Sequence, residues 1–94
     1  MATPSLPTVM TVEFTVPYGN DMWTQEMRNP FHSQQLFIQL YEEAGASWRL
    51  VLFQDTALPL IIVDKDKIQI TVAGPAHPTI SKVGSLNYKV LITA

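Results

Sequence analysis

Apolar and polar residues alternate along four segments of this chain with the period of a β-strand. The segments cover residues 10–16, 36–40, 68–72 and 86–92. Alternation of this period places every second side chain on one face, so each segment predicts a strand with one buried face. Turn residues separate them: Pro17-Tyr18-Gly19-Asn20 follows the first segment, and Asp64-Lys65-Asp66-Lys67 precedes the third.

The region from Ser33 to Tyr41 fits two patterns. Leu36, Ile38 and Leu40 alternate as in a strand, whereas positions 36, 37, 40, 41 and 44 also form the apolar stripe of a helix. We favour the strand, because residues 42–47 then form a hairpin loop into the next apolar segment. A helix ending at Gly45 remains the alternative.

Two further strands are predicted between this loop and the third alternating segment. The segment Trp48–Phe53 is apolar on both faces apart from Arg49, which predicts a central strand with Trp48 in the core. The segment Leu58–Val63 contains Pro59, whose missing N–H places it at the start or the edge of a strand. Residues 74–85 are predicted to form a long loop.

One short helix is expected between residues 21 and 29. Trp23 and Met27 lie four residues apart and Pro30 follows, but a helix of this length must pack on the sheet or on a partner. Together the patterns predict an all-β fold, an antiparallel β-sandwich or small barrel of about six strands, with at most that one short helix. Residues 1–8 are interpreted as an extended N-terminal arm and residues 9–94 as a single domain.

Charge is scarce for a chain with this pattern. Only 15% of the 94 residues are charged and 47% are hydrophobic, against roughly 25% charged in an average soluble domain. We therefore expect a neighbouring subunit to cover part of the surface. The net charge is −2 and the six basic residues are scattered, so neither nucleic acid nor a membrane is expected as a partner. Neither a signal peptide nor a transmembrane segment is predicted.

No residue pattern predicts catalysis, a cofactor site or a metal site. The chain has no cysteine, and His32 and His77 lack the spacing of metal ligands. The Asp64-x-Asp66 pair matches the start of a calcium loop, but the required glycine and the acidic residue at the twelfth position are missing. Neither a G-x-S-x-G motif nor a glycine-rich phosphate loop occurs. We therefore predict that the protein is not an enzyme and binds no cofactor.

Candidate contact residues lie in the arm and in the segment 21–29. Prolines in the arm favour an extended geometry whose backbone groups need external partners, so we predict that the arm contacts a neighbouring subunit. An arm folded over the edge of its own sandwich is the alternative. The cluster around Trp23 is interpreted as a lid on the core, a subunit contact or a ligand platform. The predicted interface residues are Pro4, Leu6, Pro7, Met22, Trp23 and Met27.

The C-terminal half carries a family resemblance. Ile68-Gln69-Ile70-Thr71-Val72 is followed by a proline-containing loop and then by Gly84-Ser85-Leu86-Asn87-Tyr88-Lys89-Val90-Leu91-Ile92. Over residues 47–94 the chain resembles small β-sandwich structural proteins of tailed bacteriophages. The resemblance implies a virion protein, such as a capsid decoration or a tail or baseplate component, that assembles with other virion subunits as a homo-oligomer or within a large symmetric particle. The alternative is a carbohydrate- or peptide-binding module that uses Trp23 and Tyr18.

Overall fold

The computed structural model describes residues 8–51 and 57–94, and these form two antiparallel sheets without a helix. The strands are β1 (Val9–Val16), β2 (Met22–Arg28), β3 (Phe37–Ala44), β4 (Ser47–Leu50), β5 (Leu60–Val63), β6 (Lys67–Ala73) and β7 (Leu86–Thr93). One sheet has the order β1-β7-β3-β4 and the other has the order β2-β6-β5. The predicted all-β fold is confirmed, and its two antiparallel sheets are consistent with a sandwich.

The core lies between the two sheets and is built from the inward positions of the alternating strands. Tyr88 is fully buried, and its ring stacks on Phe14 with 5.5 Å between the ring centres. Its hydroxyl donates a 2.7 Å hydrogen bond to the carbonyl of Ala73. Since Tyr88 lies on β7 and Ala73 on β6, this bond ties one sheet to the other. The buried core cluster is completed by Val16, Leu40, Ile68, Ile70, Val72, Leu86, Val90 and Ile92.

The expected helix over residues 21–29 is wrong, because this segment forms β2. A spacing of four residues puts two side chains on one face of a strand as well as of a helix. Trp23 and Met27 therefore satisfy both patterns, and pairing with β6 decides between them. The register places Trp23 opposite Val72 and Met27 opposite Ile68, so both side chains pack against the core. This strand raises the number of described strands from the predicted six to seven.

The strand interpretation is confirmed for Phe37–Ala44, whereas residues 33–36 lie before the strand, and the next segment differs from expectation. The hairpin turn is tighter than the predicted loop and lies at Gly45, whose φ of 64° suits glycine. The strand predicted to be central is instead β4, at the end of its sheet. The register pairs Trp48 with Glu43, on the face that points away from the other sheet, so the core position expected for Trp48 is wrong. Residues 52–54 of that predicted strand lie outside the described residues.

Two loop contacts fix the ends of the three-stranded sheet. Asn29, which follows β2, is fully buried and its side-chain NH₂ donates to the carbonyls of Ser33 and Asp64, at 2.7 and 2.8 Å. At the opposite end, the backbone N–H of Gly74 donates to the carbonyl of Asp21 at 2.8 Å. This approach is so close that a Cβ at position 74 would lie 2.1 Å from the carbonyl oxygen of Asn20.

Candidate functional site

The candidate site is the face of the four-stranded sheet that points away from the core, here called the outer face. It contains the residues that alternate with the buried positions of β1, β3, β4 and β7. Its members are Val9, Thr11, Glu13, Thr15, Phe37, Gln39, Tyr41, Glu43, Trp48, Leu50, Asn87, Lys89, Leu91 and Thr93. Three of these fourteen carry a charge, so most of the outer face is uncharged.

Exposed apolar side chains are the first notable property of the outer face. Val9 is 56% exposed, Phe37 is 64% exposed and Leu50 is 43% exposed. Val9 and Phe37 are both paired with Thr93 of the central strand β7, so they flank it at one end of the sheet. Single exposed apolar residues are normal on a protein surface, but a group on one sheet face indicates a contact surface.

An aromatic cluster with one cation is the second property. The ammonium of Lys89 lies 4.8 Å from the centre of the Trp48 ring and 5.5 Å from the centre of the Tyr41 ring. The register causes this arrangement, because Lys89 is paired with Tyr41, and β4 brings Trp48 alongside. Contacts of a cation with the face of an aromatic ring are attractive, so the lysine is held over the two rings.

A shallow depression of about 280 Å³ adjoins this cluster. It is lined by Thr11, Tyr41, Trp48, Lys89 and Leu91, which come from all four strands of the sheet. The lining joins aromatic and aliphatic carbon to the Lys89 ammonium, the hydroxyls of Thr11 and Tyr41 and the indole N–H of Trp48. This chemistry suits binding through surface contact.

The structure separates the three predicted contact residues of β2. Trp23 and Met27 pack against the core, and the Trp23 indole N–H donates a 3.1 Å hydrogen bond to the side-chain oxygen of Gln25. Met22 is 54% exposed on the opposite face of the strand. The lid interpretation therefore matches the positions of Trp23 and Met27. Pro4, Leu6 and Pro7 lie outside the described residues, so their role in assembly stays a prediction.

The histidines and the acidic residues do not come together as a metal site in the described part of the chain. Nδ1 of His77 lies 2.8 Å from the hydroxyl of Thr79 and accepts a 3.2 Å hydrogen bond from the Thr79 backbone N–H. Within residues 8–51 and 57–94, no group of three or more His, Asp or Glu side chains could hold a metal ion. No helix in these ranges has the length and apolar character needed to cross a membrane.

Sequence reasoning missed the outer face because Trp48 was assigned to the core and the predicted contact residues were placed in the arm and in the segment 21–29. The sequence did contain a signal: some of the outward positions of the alternating strands are occupied by apolar residues. Leu91 lies between the buried Val90 and Ile92, and Val9 and Phe37 likewise occupy outward positions. Several apolar residues at the outward positions of neighbouring strands indicate a contact surface.

Comparison with known proteins finds no relative of this chain. No protein-family model, curated protein or solved structure matches the chain. The residues of the outer face are therefore the observations that bear on function.

Proposed function

We propose that this protein is a non-enzymatic structural subunit of a viral particle, such as a capsid decoration or a tail or baseplate component. The outer face is the surface through which it contacts neighbouring virion subunits. The observation that carries the proposal is the exposure of Val9, Phe37 and Leu50 on one ordered sheet face. Covering such side chains releases the water ordered around them and favours association.

The magnitude of this effect supports assembly through several surfaces. Complete burial of one large apolar side chain stabilises a contact by about 1.5–3 kcal/mol, so covering three half-exposed ones contributes roughly 3 kcal/mol. Association of two proteins costs an estimated 4–15 kcal/mol in lost freedom of motion. The three side chains alone are therefore insufficient, and a stable contact also requires Trp48 and Tyr41. A subunit inside a particle meets several neighbours at once, and such multivalency makes weak individual contacts effective.

The polar residues of the outer face are suited to the same role. Most of them are amides and hydroxyls, such as Thr11, Gln39 and Asn87. Burial of a hydrogen-bonded amide or hydroxyl costs less than burial of an ion, so a partner can cover these residues at low cost. The positive charge of Lys89 is already placed against the Trp48 and Tyr41 rings.

The carbohydrate- or peptide-binding alternative now depends on different residues from those expected. Trp23 packs against the core, which leaves Tyr18, 66% exposed, as the remaining member of the expected pair. The rings of Trp48 and Tyr41 offer a platform at the depression of the outer face. However, the Lys89 ammonium lies over both rings, where a sugar would have to stack. This contact favours a protein partner over a sugar.

A matched pair of substitutions tests the proposed contact surface. Phe37→Asp adds a charge to the outer face, and Val83→Asp adds the same charge at a side chain that is 88% exposed in the loop before β7. Both variants should keep the melting temperature within a few degrees, because neither side chain is in the core. We expect the native protein and Val83→Asp to co-sediment with virus particles in the native host, and Phe37→Asp to be depleted from them.

Two results would contradict the proposal. Equal incorporation of both variants would show that the outer face makes no subunit contact. A native protein that stays monomeric in its source and is retained on a glycan array, with retention lost in Trp48→Ala, would instead establish the carbohydrate-binding module.

A further inference from the structure

The edge strand β5 is a second surface with unusual properties. It pairs with β6 on one side, and no other described residue pairs with it on the other. All four of its residues are apolar, with Ile61 and Val63 turned inward and Leu60 and Ile62 turned outward. Leu60 is 50% exposed and Ile62 is 46% exposed. Edge strands are usually protected by charges, bulges or prolines, and the paired length of β5 contains none of these.

The hydrogen-bonding pattern of β5 leaves the backbone groups of two of its residues pointing to the side away from β6. The N–H of Asp64 donates to the carbonyl of Lys67 at 2.9 Å, and antiparallel strands bond at every second residue. The next bonded positions are therefore Ile62 and Leu60. It follows that the N–H and C=O groups of Ile61 and Val63 point away from β6.

A hydrogen bond between β6 and the β2 side of the sheet independently shows which residues of β6 bond toward β5. The N–H of Asn29 donates to the carbonyl of Asp66 at 3.0 Å, so Asp66 bonds toward β2 and its neighbour Lys67 bonds toward β5. The four outward groups of Ile61 and Val63 are thus a consequence of the register. Backbone donors and acceptors of this kind require water or another strand as a partner.

We propose that β5 pairs antiparallel with β5 of a second copy of this chain, across a two-fold axis. This pairing joins two three-stranded sheets into one continuous six-stranded sheet. Ile61 of one copy forms a hydrogen-bonded pair with Val63 of the other, and the symmetry repeats the pair. Ile62 then lies directly opposite its own symmetry mate, in the closely spaced type of pair that forms no hydrogen bonds.

A second copy suits this edge because the segment is complementary to itself. A two-fold axis requires the same residues to match themselves. In this register Ile61 meets Val63 on the inward face, and Ile62 meets its own symmetry mate on the outward face. In the adjoining turn, Asp64 lies opposite Leu60 and Lys65 lies opposite Pro59, so no like charges meet across the axis. The edge is distinct from the outer face, so this proposal stands whether or not the proposed function is correct.

Cysteine cross-linking of the full chain tests the register directly, because the native chain contains no cysteine. In Ile62→Cys the two thiols face each other at the axis, within the few ångströms that a disulfide requires. In the control Leu60→Cys, the two thiols are separated by about 14 Å along the strands. Under mild oxidation with oxidised glutathione, we expect covalent dimers of Ile62→Cys to form several times faster than those of Leu60→Cys. Equal rates, or no dimer in either variant, would overturn the proposal.

Charge substitutions provide a second readout that does not depend on a thiol. Ile62→Lys places two ammonium groups opposite each other at the axis, whereas Leu60→Lys places each new ammonium opposite Asp64 of the other copy. In sedimentation equilibrium, the native chain and Leu60→Lys should show a monomer–dimer equilibrium, and Ile62→Lys should remain monomeric. A native chain that is monomeric at all concentrations, or an Ile62→Lys variant that still dimerises, would refute the pairing. Unchanged circular dichroism of the variants confirms that both remain folded.

Discussion

Replacement of Asn29 by alanine should destabilise the domain more than any other removal of a single polar side chain from the described residues. The Asn29 NH₂ group donates to the carbonyls of Ser33 and Asp64, and its side-chain oxygen accepts a 3.0 Å bond from the N–H of Phe31. The residue is fully buried, so water does not directly replace these bonds. The side chain thereby ties the loop after β2 to the turn between β5 and β6.

The expected magnitude follows from these three bonds. Each contributes about 1 kcal/mol net, and a buried partner left without a bond costs about 1–3 kcal/mol, so we expect a loss of roughly 3 kcal/mol. Small domains are stable by about 5–15 kcal/mol, so this is a large fraction of the total. For a domain of this size the melting temperature should fall by roughly 12–24 °C.

Urea unfolding of the native chain, Asn29→Ala and a matched control measures the effect. The control is Asn87→Ala, which removes the same side chain from an exposed contact with the Thr15 hydroxyl. We expect the control to lose at most about 0.5 kcal/mol, as is usual for surface substitutions. Asn29→Asp should be at least as unstable as Asn29→Ala, because a carboxylate cannot donate to the two carbonyls. A loss below 1 kcal/mol for Asn29→Ala, or a loss equal to that of the control, would refute the reasoning.

Three further substitutions test how the sheets and loops are held together. Tyr88→Phe keeps the ring that stacks on Phe14 but removes the hydrogen bond to the carbonyl of Ala73. The free energy of unfolding in urea should therefore fall by about 1–2 kcal/mol. An unchanged urea midpoint would mean that this bond does not help to join the sheets. Gly74→Ala forces a Cβ against the backbone of the 17–21 loop and should cost about 3 kcal/mol, whereas Gly45→Ala, with open space but a φ of +64°, should cost about 1 kcal/mol. A melting temperature that is lowered equally by both glycine substitutions would contradict the close approach at Gly74.

Local alternation was sufficient to predict most of the strands. β1, β6 and β7 follow directly from segments with a strict two-residue period, and their inward residues form most of the core. The tight turn before β6 was also predictable, since it depends on local turn chemistry, and Pro59 directly precedes β5, as its missing N–H allows. These features depend on residues that are adjacent along the chain, so they can be predicted from the sequence without the fold.

The position of β2 and the orientation of Trp48 were decided by strand pairing. Trp23 and Met27 fit a helix and a strand equally well, and only the β6 register selects the strand. Trp48 has apolar neighbours in the sequence, but the short hairpin at Gly45 pairs it with Glu43 and turns it outward. A register shift of one residue moves a side chain to the other face, and local composition does not reveal it.

By itself, the sequence determined that the chain is built of strands, that charge is scarce and that no known catalytic motif is present. Only the tertiary structure decided which apolar residues remain uncovered. Val9, Phe37 and Leu50 gather on one face, and Ile62 lies on the edge strand of the described three-stranded sheet, because pairing brings together residues that are distant along the chain. The sequence shows which residues are hydrophobic, but whether each one is buried depends on which strand lies beside it. For that reason both candidate contact surfaces of this protein could be recognised only in the folded chain.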